Sequence, residues 1–196
     1  MSAPLRNDTV PSGLEVHRLS VAQYEAMGHA GVLQPEDHVE LIEGWLINKI
    51  TKNPRHRATT RRVRLRLESV LPQGCYLESQ EPLVTADSEP EPDAYVVRGA
   101  PEGFEQRHPT AADVSLVVEV ADTSLERDRI VKARIYAQAR IPIYWIVNVE
   151  GRRIEVYSRP DGDAYAERTD YVWGATVPVR LDGAVVAELN VSDILG

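Results

Sequence analysis

The longest apolar run, Val114 to Val120 (VSLVVEV), has neither the alternation of a half-buried strand nor the spacing of a surface helix. It suits a strand buried on both faces. Asp122, Thr123 and Ser124 follow as cap residues before a helical stretch. There Asp128, Lys132 and Tyr136 recur every four residues on one face, while Ile130, Ala133, Ala137 and Ile135 pack elsewhere. Pro142 breaks the helix ahead of a second apolar strand, Ile143 to Val149. Strand, helix and strand in that order predict a crossover between parallel strands.

The flanking patterns are shorter. Ser20 and Gln23 match a capping box that opens a helix through about Met27, ended by Gly28 and Gly31. DHVELIEGWLINKI, from Asp37 to Ile50, predicts two strands turned at Glu43-Gly44, with Val39, Leu41, Trp45 and Ile47 on the core face. Val63, Leu67, Val70 and Leu71 give a helix over Arg55 to Leu71, stopped by Pro72 and Gly74. Cys75 to Thr85 supplies one or two strands, Ala94 to Val97 another, and Gly99 to Asp113 a long loop. Past a turn at Gly151-Arg152, the segments Arg153–Tyr157, Ala164–Glu167, Ala175–Val179 and Ala184–Leu189 predict an antiparallel extension, with Pro160-Asp161-Gly162 as a turn. Tyr144, Trp145, Tyr157, Tyr171 and Trp173 read as core and interface residues. Residues 1–18 read as a loose leader and residues 19–196 as one domain.

Charge and cysteine content narrow the function classes. With 22 Lys and Arg against 30 Asp and Glu, the net charge of −8 argues against a sequence-independent nucleic-acid coat or a basic membrane-surface protein. The single cysteine, Cys75, excludes an internal disulfide and a multi-thiolate zinc site. Neither a signal-peptide core nor a membrane-length apolar run is present, so a cytoplasmic protein without a membrane partner is expected. Basic residues nevertheless gather between Gly44 and Leu67, where no acid interrupts them. Arg55, Arg57, Arg61 and Arg62 on that helix could face an anion such as nucleic acid, or form a solvated face.

Four positions invite chemistry. Glu119 lies within the buried strand, where strand preference and desolvation both oppose it, so metal binding, proton transfer or a tight ion pair must be considered. In SEPEPDAYVVRG, Pro90 and Pro92 alternate with Glu89, Glu91 and Asp93, and Asp93 is held rigidly at a strand entrance. Lys132 is one of only three lysines, with Lys49 and Lys52. A compact ammonium can approach a single phosphate oxygen or water where a forked guanidinium cannot, although an ion pair with Asp128 would also explain it. Glu40, on the first hairpin, is a secondary candidate, since a Glu on an outer strand face is usually solvated. His56, near a helix start, is more often a surface or cap residue than a ligand.

Asp93, Glu119 and Lys132 together resemble the PD-(D/E)XK nuclease superfamily. A longer series resembles its Uma-type endonuclease family: Glu40-Leu41-Ile42-Glu43-Gly44, His56, Pro92-Asp93, Glu119-Val120, Asp128 with Lys132 and Tyr136, and Tyr144-Trp145. The superfamily's simplest form carries its lysine two residues after the strand acid, where this chain has Ala121; the resemblance implies a lysine migrated to the next helix, Lys132. It implies an α/β fold, a restriction-endonuclease-like mixed β-sheet core flanked by helices with additional antiparallel strands. It also implies Mg²⁺ or Mn²⁺ on Asp93, Glu119 and the Val120 carbonyl, with Glu40 completing the shell. Nucleic acid, with DNA foremost, would be the substrate, His56, Asp128 and Tyr136 would support the site, and unpaired sheet edges make a homodimer plausible. The alternative is an inactive nuclease-like fold that binds nucleic acid or protein. A small-molecule hydrolase lacks support, with neither a nucleophile elbow nor a phosphate-cradling Gly loop.

Overall fold

The computed structural model describes residues 15–196, so most of the expected leader lies outside the described residues. Helix α1 (Val21–His29) opens with the expected capping box: Gln23 N–H donates to Ser20 Oγ at 3.2 Å and Ser20 N–H to Gln23 Oε1 at 2.9 Å. Gly28 lies within the helix rather than ending it.

Strands β1 (Val39–Ile42) and β2 (Trp45–Asn48) pair antiparallel across Glu43 and Gly44, whose φ values of 49° and 78° give the turn a twist that suits a hairpin. Gly44 N–H bonds Asp87 O (2.9 Å) and Glu89 N–H bonds Leu41 O (2.8 Å), so the hairpin is sewn to the chain just before Asp93. This seating puts β1, not β2, against the body. Ile47, expected in the core, is therefore 37% exposed, while Glu40 is buried.

Helix α2 (Pro54–Glu68) starts at Pro54, capped by the Asn53 side chain on His56 N–H, and ends one turn earlier than its apolar spacing predicts. The main sheet then follows: β3 (Cys75–Glu78), β4 (Ala94–Arg98), β5 (Val114–Ala121), β6 (Ile143–Asn148), β7 (Arg153–Asp161) and β8 (Ala164–Val172), hydrogen-bonded in that order. Only β5 and β6 are parallel neighbours, as the crossover requires. The long 99–113 loop is organised by two short 3-10 turns and a bridge from Thr110 to Val84. β7 continues through Asp161, which moves the next turn to Gly162-Asp163.

The crossover departs from a regular helix. It runs through α3 (Leu125–Arg127), a π turn (Asp128–Lys132) and α4 (Ala133–Gln138); the Ala133 N–H reaches back five residues to Asp128 O. Such π turns concentrate at functional sites. Ile130, expected to pack, is 55% exposed on the outer side of this turn.

Strand alternation sorts β5 between two cores. Leu116, Val118 and Val120 pack under α2, the separate hairpin β9 (Thr176–Leu181) with β10 (Ala184–Asn190), and α5 (Val191–Leu195). Val117 and Ala121 face α4 and Ile42 of β1. Glu119 shares this second face by period, at the strand's C-terminal end. Each fully buried aliphatic side chain contributes roughly 1.5–3 kcal/mol, and β5 is buried along its whole length. Among the described residues, no helix is long and apolar enough to cross a membrane.

Candidate active site

Where β4 begins and β5 ends, five segments converge on one narrow pocket of about 60 Å³. Glu40 enters from the hairpin, His56 from the first turn of α2, Asp93 from the mouth of β4, Glu119 from β5, and Asp128 and Lys132 from the π turn; Lys49, Lys52 and Glu91 also line it.

Asp93 extends the sheet with its side chain. β4 pairs with β5 up to Ala94 opposite Val118, and beyond that point Asp93 Oδ2 accepts the Val120 N–H at 2.9 Å. The same oxygen lies 3.0 Å from His56 Nε2, and Lys52 Nζ stands 3.2 Å from Oδ1. Burial alone would raise the Asp93 carboxyl, but His56, Lys52 and the Val120 N–H outweigh it and hold it below its ordinary value. Oδ1 feels the Lys52 charge but is buried with no hydrogen-bond partner among the described residues. The backbone of Val120 also faces this side, because Ala121 O, one residue on, bonds Val149 N–H on the β6 side and successive residues alternate.

Glu119 behaves oppositely. Tyr136 Oη donates to its Oε1 at 2.7 Å and the Lys132 amine stands 3.7 Å from that oxygen. Burial nevertheless pushes its carboxyl up to about 8; Lys132 opposes the rise and Asp93 adds to it. Asp128 is also pushed up by burial, to about 6, although Ser124 and the nearby cations pull it down. Two neighbouring carboxyls displaced in opposite directions, Asp93 by its partners and Glu119 by burial, are a common mark of a working site.

Lys132 does not pair with Asp128, the local explanation its spacing offered. Its amine, on a side chain only 2% exposed, donates to Glu40 Oε2 at 2.8 Å, across 92 residues of sequence. Glu40 also accepts the Glu91 N–H (3.3 Å) and lies 3.6 Å from an Arg127 nitrogen. The solvated Glu expected from a short outer strand is thus a buried partner of the lysine. His56 is likewise more than a cap residue, since its ring meets Asp93.

The arginines of α2 divide. Arg55, Arg57 and Arg61 are exposed, Arg55 within 3.7 Å of Asp122 near the pocket. Arg62 turns inward and donates to Ile194 O (2.9 Å) and Leu195 O (2.7 Å), satisfying end carbonyls of α5. That contact removes it from the outward-facing set. Arg127, Lys49 and Lys52 line the pocket instead, and the sequence did not distinguish them as site residues. For the two lysines, their rarity was the available signal.

Among the described residues, no three His, Cys, Asp or Glu side chains stand ready-made as a metal cage. The donors present are of a different kind: two carboxylates and a strand end, with one carboxylate oxygen free of any hydrogen bond. Mg²⁺ is commonly bound in that way, through one or two carboxylates with water and substrate phosphate completing the shell. The donor set fits a hard divalent ion.

A solved structure described as "a putative nuclease belonging to DUF820" from Anabaena variabilis superposes with a TM-score of 0.65 at 18% identity, covering 90% of this chain and 97% of that one. At that identity the likeness establishes the shared fold. No curated protein matches the chain. The family described as "Uma2: Putative restriction endonuclease" matches residues 21–187, from the first helix to the last hairpin and including every residue of the pocket, and the chain belongs to that family.

Proposed function

We propose that the protein is a divalent-metal-dependent endonuclease that hydrolyses phosphodiester bonds in nucleic acid, with DNA as the expected substrate. The observation that carries this reading is the convergence of Glu40, Asp93, Glu119 and Lys132, from four separate segments, on one pocket. Asp93 and Glu119 are the ligands offered to Mg²⁺ or Mn²⁺, with the Val120 carbonyl as a third oxygen. Asp93 Oδ1 accepts no hydrogen bond, and Tyr136 and Lys132 both lie on Oε1 of Glu119, which leaves its Oε2 for the ion. A bound ion would supply a lowered pKa for water and Lewis-acid stabilisation of charge on the phosphate.

The protein's own residues do the rest. Lys132 has three N–H donors, one of them on Glu40; the others orient a water or neutralise charge developing on a phosphate oxygen. Glu40 holds that amine in place through Oε2, which accepts from Lys132 and the Glu91 N–H, while its Oε1, 3.6 Å from an Arg127 nitrogen, is the oxygen left to complete the metal shell. His56 braces Asp93, Tyr136 fixes the rotamer of Glu119, and Asp128 anchors the π turn through Ser124. Arg55, Arg57 and Arg61, beside the pocket on α2, would meet backbone phosphates. Pairing of exposed β8 edges in a homodimer belongs to the same proposal.

The test is cleavage of nucleic acid by purified protein with Mn²⁺ or Mg²⁺. Asp93→Ala, Glu119→Ala and Lys132→Ala should each reduce cutting by at least about 100-fold; equal residual activity in all three would identify a contaminant. Calorimetric titration showing no divalent-ion binding that depends on Asp93 and Glu119 would favour a nuclease-like binding module instead.

A further inference from the structure

The segment 89–93 continues beyond the pocket. Alternation with Pro90 and Pro92 in an extended stretch puts Glu89, Glu91 and Asp93 on one side, at roughly 7 Å intervals. Asp93 lies in the catalytic pocket, Glu91 lines both that pocket and a neighbouring groove, and Glu89 lies in the groove. Lys49, bonded to Glu91, is the other residue shared by the two cavities.

The groove is much larger than the pocket, about 1070 Å³, and its walls include Tyr24, Pro35, Pro82 and Phe104. Glu89 exposes only 6% of its surface, and its Oε2 is buried with no hydrogen-bond partner among the described residues. Such an acceptor is costly to leave unsatisfied, and neither the fold nor the chemistry assigned to the pocket uses it. Burial, together with Glu25 and Glu91, pushes its carboxyl up to about 7. Aromatic and proline walls beside an acceptor without a hydrogen bond suit a flat heterocycle that brings a donor, and the other acids of the groove, Glu25, Glu91 and Glu105, favour a donor-bearing edge over a carbonyl one.

We propose that this groove receives a nucleobase of the strand whose phosphate occupies the pocket, and that Glu89 selects bases bearing an amino donor, such as cytosine or adenine, over thymine. The assignment rests on the nuclease reading for the strand's placement. A carboxylate accepts from the cytosine N4 or adenine N6 amino group, which projects from the ring, whereas the one thymine donor, its ring N3–H, is flanked by the O2 and O4 acceptors, which face the carboxylate with like partial charge.

Fluorescence anisotropy with labelled single-stranded oligo(dC), oligo(dA) and oligo(dT), without added metal, tests this independently of cutting. The wild-type protein should bind oligo(dC) and oligo(dA) about tenfold more tightly than oligo(dT). Glu89→Gln, which adds a donor at the same place, should shrink that ratio to about two or less. Its Tm should equal or exceed the wild-type value, because an unpartnered buried charge has been removed. Equal affinity for the three oligomers, no binding of any of them, an unchanged preference in Glu89→Gln, or a lower Tm would each overturn the assignment. Base-selective binding without metal-dependent cutting would sink the nuclease reading while leaving the groove assignment standing.

Discussion

Replacing Lys132 by Met keeps most of the side chain's volume and removes one buried positive charge. Glu40 and Glu119 would then be left in the same site without it; Lys132 Nζ lies 2.8 Å from the first and 3.7 Å from the second. Breaking a buried ion pair by deleting one partner costs about 3–5 kcal/mol. For a chain of this size that corresponds to a Tm lower by about 6–20 °C. The loss should depend on pH, and its sign follows from Glu119. Its folded-state pKa, about 8, already lies above the ordinary value, and Lys132 is the partner that restrains it. Without the amine, Glu119 titrates higher still. A raised folded pKa contributes stability that is present below the unfolded value and lost as pH rises through the folded one. The variant should therefore approach the wild type near pH 5 and fall furthest behind near pH 9. Paired thermal melts at those two pH values are the assay. An equal Tm deficit at both, or none at either, would refute the description of Lys132 as the counter-charge of these acids.

Three further outcomes separate structural from functional charge. Glu155, fully buried on β7, accepts from Arg129, Asn148 and Tyr157, and Arg168 lies 3.2 Å away. Burial opposes ionisation there, but Arg129, Asn148 and Arg168 pull its carboxyl below the ordinary value. Its contribution is present above the unfolded pKa of about 4.3 and disappears as pH falls through the lower folded value. Glu155→Gln should cost about 2 kcal/mol in urea melts at pH 7, with a smaller difference in the acid limb, and no loss at pH 7 would count against the network. On α2, Arg57→Glu with Arg61→Glu should weaken nucleic-acid binding and flatten its dependence on log salt by about 0.9 for each phosphate no longer neutralised. Arg62→Ala should instead lower stability by about 1–3 kcal/mol, since its guanidinium serves α5; the opposite division would show that the arginines have been sorted wrongly.

Much of the fold was legible because its signals are local. The capping box at Ser20, the turn at Glu43-Gly44, the doubly buried β5 and the proline stop before β6 each follow from a few adjacent residues. Among the site residues, Asp93 and Glu119 stood out because each is an acid where a strand disfavours one. Glu40 did not, since its burial comes from a lysine 92 residues away, and Arg62 looked like its neighbours because its partners lie 132 and 133 positions further on. The π turn was hidden as well. Four-residue spacing of Asp128, Lys132 and Tyr136 reads as an ordinary helix, and only tertiary packing decides where the hydrogen-bond ladder widens.

Asp93 carries a last consequence. Its Oδ2 serves as the rung that secures Val120 where β4 has run out, while Oδ1 is left without a hydrogen bond. One short side chain thereby acts as a ruler, setting the distance between the end of the sheet and the centre of the pocket. Glutamate has the same charge, but its extra methylene would let the carboxylate satisfy the strand or reach the centre from its old position, not both. Conservative exchange at this residue is thus a question of length, and the aspartate ahead of β4 suits its place for geometric as much as for electrostatic reasons.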